Sequence, residues 1–246
     1  MNSLLNNKLF VIYVAPFIIG AITILGFAPF NLTFLNFLTF SALLFLILNL
    51  KEKTKSKYRK KKSNKYFFYQ GCAFGFGFFL FGNYWISISL THDDMFIGLI
   101  PLAVLLIPLF LSLFFGLAIY IVGPLASKNI SFILLFSISF SLLEFLRGNI
   151  LTGFPWNLIS YTWWWSLESI QVLSLVGTYS LSLISITIFC IPFLFFQKKI
   201  FTKNIIFLIS FLLIIISNFT YGIIKINKNK YSFDNKISIK IVSPNF

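Results

Sequence analysis

Acidic side chains and histidine are scarce in this sequence: its 246 residues include six Asp and Glu together and one His. Soluble domains carry about 25% charged residues, against 11% here, which excludes an ordinary globular chain. The lone His92 lies beside Asp93 and Asp94 in a THDD turn. One imidazole and two neighbouring carboxylates fall short of a metal site, so the turn reads as a solvated loop, and neither a metal nor a cofactor is expected. Cysteine is also sparse. Cys72 and Cys190 lie inside apolar runs, with no Lys, His or Glu close in sequence to lower a thiol pKa. They read as small packed residues rather than a nucleophile or a disulfide.

What replaces charge is hydrocarbon. The chain is 58% hydrophobic and 20% aromatic with a mean hydropathy of +0.90, which places it among membrane proteins. The net charge of +14 could suggest a nucleic-acid partner, but its distribution argues against one. Nine of the twenty Lys and Arg fall within Lys51 to Lys65, KEKTKSKYRKKKSNK, and several others flank apolar runs. That is the pattern of a juxtamembrane basic loop, with no nucleic-acid recognition fold around it.

The expected fold class is an all-α integral membrane protein, a bundle of seven spans at about 9–27, 30–50, 66–90, 95–121, 130–146, 170–196 and 204–224. A cleaved signal peptide is the rival reading of the first run. That run is long for one and a second follows almost at once, so a retained helix is preferred. GFAPFN, with Gly26, Pro29 and Asn31, breaks the chain between the first two spans. In the third span Gly71, Gly75, Gly77 and Gly82 include a GxxxG spacing, Gly71 to Gly75, that admits a close helix neighbour. Pro101 and Pro108 are expected to bend the fourth.

Placing the basic loop inside sets the topology, with the N-terminus cytoplasmic and the C-terminus outside. Fourteen cations then lie inside: Lys8, the nine of the loop, Lys128, Lys198, Lys199 and Lys203. Before the tail, Arg147 alone lies outside. Residues 1–226 form the membrane domain and 227–246 an outer tail. In that tail Ile237, Ile239 and Ile241 alternate with Ser238 and Lys240, the period of a strand with one buried face. A single strand has no partner for its ladder, so the tail is expected to be the first strand of a further, truncated domain.

One stretch stands apart from the hydrocarbon: Leu146 to Trp156, LRGNILTGFPW, with Trp163, Trp164 and Trp165 just beyond. Glu144 and Arg147 are three apart at the end of the fifth span and able to pair. A structural pair and a lipid-headgroup contact are both open for them. Gly153 and Pro155 are expected to turn the chain and present Phe154 and Trp156, either as an aromatic belt or as a gate for an acyl chain. Tyr84 and Trp85, in NYWISISL at the end of the third span, are placed near the same outer interface. No Ser or Cys on this surface sits in a nucleophile elbow or beside a convincing base, so no catalytic residue is assigned. A transporter would need broken spans with polar residues near the midplane, whereas Glu144 and Arg147 lie at a span end.

GFAPFN, GFGFFLFGNYWISISL, LLEFLRGNILTGFPWNLISY and IKIVSPNF occur here in the order found in bacterial apolipoprotein N-acyltransferases, which the chain resembles along essentially its whole length. LRGxxLTGFPW is the most specific part. The resemblance implies a bundle in the bacterial inner (cytoplasmic) membrane, a C-terminus in the periplasm, and a nitrilase-like α/β domain beginning at the tail strand. It also implies a reaction, in which a phospholipid acyl chain passes to a cysteine as a thioester and then to the α-amino group of a lipoprotein's diacylglyceryl-cysteine. Membrane phospholipid is thus the implied donor, and a lipoprotein N-terminus the acceptor where a catalytic domain is supplied. The family's Glu, Lys and Cys have no counterparts in this sequence, and Ser243 stands where the family often has Gln. What carries over is a lipid and substrate platform: Tyr84 and Trp85, Arg147 with Glu144, and Gly153, Phe154, Pro155 and Trp156. The alternative is a non-catalytic membrane remnant or lipid-binding module.

Overall fold

Residues 7–54, 60–196 and 202–228 are described by a computed structural model. Among them the structure is helical and contains no β-strand. The tail read as a strand lies outside the described residues. Six helices among the described residues are long and apolar enough to cross a membrane: Leu35–Thr54, Asn64–His92, Asp94–Leu125, Ile130–Asn149, Thr178–Phe195 and Asn204–Lys228. The expected first span is a shorter apolar helix, Phe10–Gly26 (α1). It opens with a π-helical turn, Phe10–Val14. The carbonyl of Val11 there accepts a 3.0 Å bond from Nε2 of the buried Gln70, which supplies a partner inside the bundle that lipid would not.

Tight turns decide where the next helices begin and end. Asn31 has φ +56°, which a helix cannot contain, so the second helix starts at Leu35 (α2, Leu35–Thr54) rather than near residue 30. The third helix (α3, Lys60–Asn83) gives way to 3-10 turns over Tyr84–His92 and Asp94–Leu99. In the fourth (α4, Ile100–Val122) Pro101 sits in the first turn, where its missing N–H costs nothing, while Pro108 lies inside. The fifth (α5, Ile130–Asn149) is capped by Asn129, whose side chain accepts from Phe132 N–H.

The sixth expected span starts later than its hydropathy suggested. Residues 167–176 form two short helices, Leu167–Ile170 (α6) and Leu173–Val176 (α7), and the long helix begins only at Thr178 (α8, Thr178–Phe189). The break falls at Gly177, whose φ of +76° a helix cannot contain. The last helix among the described residues is α9 (Thr202–Lys228).

The bundle is organised around α3. Lipid is as apolar as any side chain, so helices in a membrane associate by close van der Waals fit rather than by leaving water. On one side of α3, a Cβ on Gly71 would lie 2.4 Å from Phe115 O of α4. On another, a Cβ on Gly77 would lie 2.1 Å from Phe17 O of α1. The GxxxG expectation therefore holds for the α4 side. Between these contacts phenylalanines fill the interior, with Phe115 and Phe140 at 4.4 Å and Phe79 and Phe115 at 5.0 Å between ring centroids. Cys190 is packed in this core, and Cys72 lies at the α3–α4 contact, facing Gly116.

Candidate functional site: a loop clamped over the end of the bundle

The last two turns of α5 carry two ionisable side chains in a setting where charge is expensive. Glu144 is 0% and Arg147 1% exposed. They do not pair: no ion pair joins them, and neither reaches the bundle's lipid-facing surface. Each instead holds backbone of the following loop, because a charge enclosed by apolar helices is stabilised best by the polar groups that would otherwise be orphaned beside it.

The loop is brought back to them by two residues with positive φ. Leu151 has φ +57° and Gly153 φ +73°, and a Cβ on Gly153 would lie 2.6 Å from Gly148 O, so both conformation and space favour glycine there. Gly153 N–H donates to Ile150 O (2.9 Å) and Phe154 N–H to Arg147 O (2.9 Å). The Arg147 guanidinium then caps the turn, as Nη1 donates to Phe154 O (2.9 Å) and Trp156 O (2.7 Å). Its carbon also stands 4.9 Å from the centroid of the Phe79 ring. Further along, Ile159 N–H donates to Glu144 Oε1 (3.1 Å) and Ser160 N–H to Ser182 Oγ (3.0 Å). Residues 154–160 are thus fastened by a cation at one end and a carboxylate at the other. Glu144 Oε2, Arg147 Nε and Nη2 and Ser160 Oγ are buried beside this network without a hydrogen-bond partner among the described residues.

The expected platform residues come together on the outer side of this clamp. Trp156 is exposed and its ring meets Trp85 edge-on, with centroids 5.5 Å apart and planes at 75°. Trp85 Nε1 donates to Gly82 O (3.0 Å), and Tyr84 beside it is exposed. Pro155 is exposed, while Phe154 turns inward onto the core. Glu144 and Arg147 lie underneath as supports. Burial, then the nearby Tyr179 and Glu144, push the Tyr161 hydroxyl above its usual range, so it remains protonated at neutral pH. His92, by contrast, stands exposed with Nδ1 near Ser89 O, and no cluster of three metal-ligating side chains exists among the described residues.

Several supports had no reading in the sequence. Asn157, at φ +53°, donates from Nδ2 to Asn83 Oδ1 (2.8 Å), which ties the loop to the end of α3. Both asparagines sit inside the distinctive strings GNYW and GFPWN, and a polar amide in so apolar a setting was the available signal. Thr33 joins the first interhelical turn to the same region, donating to Thr162 O (2.7 Å) and accepting from Trp165 Nε1 (2.8 Å). Nothing local marks Thr33 or Ser182 for these roles.

This geometry lies within a matched region. Residues 19–191 fit the model of the apolipoprotein N-acyltransferase N-terminal domain. Among curated proteins, an apolipoprotein N-acyltransferase of Rickettsia prowazekii is 38% identical over 175 residues, which is 71% of this chain and 35% of that protein. One from Brucella melitensis is 35% identical over 181 residues (72% and 33%), and one from Rhodopseudomonas palustris 34% over 174 (70% and 31%). The chain spans about a third of the length of these relatives. With the N-terminal domain model matched across most of its helices and the LRGxxLTGFPW loop inside that match, the chain belongs to the apolipoprotein N-acyltransferase family.

Proposed function

We propose that these residues act as the membrane half of an apolipoprotein N-acyltransferase, holding phospholipid donor and lipoprotein acceptor beneath a nitrilase-like domain in which the acyl transfer occurs. One observation carries the reading. Glu144 and Arg147, both buried, spend their hydrogen bonds on fixing the 154–159 backbone, and the product of that investment is an exposed Trp85–Trp156 pair at the rim. A rigid aromatic edge on a membrane bundle suits contact with lipid and with a lipidated N-terminus. No nucleophile, base and anion stabiliser converge around it among the described residues, so transfer chemistry is not assigned to the platform. The test uses labelled phosphatidylethanolamine and a diacylglyceryl lipopeptide, with the full chain supplied alone and with the coding sequence that follows it. N-acylation is expected when a nitrilase-like domain is present. Its absence in both, while a relative acylates the same lipopeptide, rejects the role.

The proposed setting is the bacterial cytoplasmic membrane, crossed seven times, with the N-terminus inside and the GFPW loop outside. Supporting the seventh crossing, α1 packs against α3 through Gly20 and Gly77, and at 1.5 Å per residue its 17 residues give about 25 Å. A fluorescent-protein fusion after Lys60 is expected to glow and a periplasmic phosphatase fusion after Lys230 to be active. The reverse pattern overturns the orientation.

A further inference from the structure

The last described helix, α9, makes its hydrogen bonds to the bundle toward one end, while near the other Phe207 packs against the core and Asn204 is buried. Asn218 Nδ2 donates to Ser169 O (3.2 Å), a Cβ on Gly222 would lie 2.0 Å from Glu168 O, and Lys225 Nζ donates to Ser174 Oγ. These three residues recur at i, i+4 and i+7, so one stripe of α9 rests on α6 and α7. Away from that stripe the helix parts from α8, and only 6% of its apolar window is buried. Two cavities follow one another along the seam. The first, about 380 Å³, lies between Trp163, Leu181 and Ile188 on one wall and Ile215 on the other. The second, about 260 Å³, lies between Leu194 and Leu208.

The order of chemistry along this seam is the informative part. From Leu208 to Ile188 its walls are hydrocarbon, and one turn before Leu208 the buried amide of Asn204 joins the lining of the second cavity. Next come the indole of Trp163, whose Nε1 is taken by Ser185 Oγ, and that of Trp165. Beyond them is Asn218, whose Oδ1 is buried without a hydrogen-bond partner among the described residues. Past that lie Lys225 and Lys228 in the last turn, opposed by the single carboxylate of Glu168, which accepts from Ser166 Oγ. Apolar length, indole, polar amide and then net positive charge complement the parts of a phospholipid in their natural order. A second protein helix would match the hydrocarbon but leave the cations without a complement.

We propose that the α8–α9 seam seats one membrane phospholipid, with an acyl chain along the two cavities and its phosphate at the Lys225 end. The seat goes beyond the acyl-transfer role above. Binding there is read with no reaction taking place, so either assignment can fail while the other stands.

The test is photolabelling of the full chain in phosphatidylcholine nanodiscs doped with phosphatidylethanolamine bearing a diazirine at the end of one acyl chain. Label is expected to concentrate on peptides covering 181–195 and 204–219, about tenfold over the lipid-facing Leu102 to Leu109 stretch of α4. Ile215→Trp, which fills the first cavity, removes that excess, Lys225→Gln lowers it, and Leu105→Trp on α4 leaves it unchanged. Should Ile215→Trp fail to purify as a single species, Ile184→Trp from the opposite wall serves the same purpose. Even labelling of all lipid-facing helices means annular lipid only and overturns the seat. So does a disulfide between two copies through Ile214→Cys accompanied by loss of seam labelling, which would make a second copy the occupant.

Discussion

Replacing Arg147 with alanine is expected to lower the unfolding midpoint of the detergent-solubilised chain by several degrees and to free the loop from Phe154 to Ile159. Two carbonyls, Phe154 O and Trp156 O, lose a charged donor at 2.9 and 2.7 Å. Hydrogen bonds to charged groups contribute about 1.5–3 kcal/mol each. The gross loss is offset in part because a buried cation no longer has to be desolvated, which leaves a net cost of about 3 kcal/mol. Glu144 adds to it, since its carboxylate stays buried after the nearest cation on its helix has gone. Arg147→Lys is expected to fall between, because a compact ammonium cannot reproduce the forked geometry of a guanidinium. Thermal melts with intrinsic tryptophan fluorescence report both parts, Trp156 being the reporter closest to the lost bonds. If both variants melt with the parent, the guanidinium is not what holds the loop.

Gly77→Leu is expected to be more damaging still, and to act on a different part of the molecule. The added Cβ would lie 2.1 Å from Phe17 O and 3.0 Å from Phe17 C, which are backbone atoms of α1 that no rotamer change can move aside. Overpacking costs about 1–3 kcal/mol where neighbours can shift. Here the neighbour is a whole helix whose partner contact, Gly20 against Phe74 O, is equally close, so about 3 kcal/mol or more is expected, with α1 displaced from α3. Gly98→Leu is the matched control, since nothing lies within 4 Å of a Cβ there. Monodispersity by size exclusion and the melting midpoint measure the difference. Equal behaviour of the two variants would mean that the α1–α3 contact is not close-packed.

The two substitutions differ in how far their consequences could be read in advance. Gly71 and Gly75 announced a close helix contact by their spacing, and the contact is with α4. Gly77 carried no such pattern with Gly20, because the two lie on different helices and only the docked bundle brings them together. For Glu144 and Arg147 the spacing suggested a mutual pair. The structure directs both to the loop instead, since the reversal at Leu151 and Gly153 returns the 154–159 backbone to the end of α5. A third contact, unread in the sequence, is polar. Asn83 and Asn157 are 74 residues apart, and nothing local to either marks the other as its partner.

What the sequence determined by itself was the class of solvent and the one stretch that stands apart from it. In a bilayer water is not there to satisfy backbone groups and a helix satisfies nearly all of its own, so a crossing segment has to be long and apolar, and those properties are visible in one dimension. The LRGNILTGFPW string was visible for the complementary reason: polar, turn-forming and aromatic residues are costly in such a chain and stand out where they occur. Which carbonyl receives the Arg147 guanidinium, which amide the Glu144 carboxylate holds, and where α9 parts from α8 were decided only by the tertiary structure. Each depends on distances between segments far apart in the chain, set by side-chain shape and backbone approach in the packed bundle, and hydropathy is blind to both.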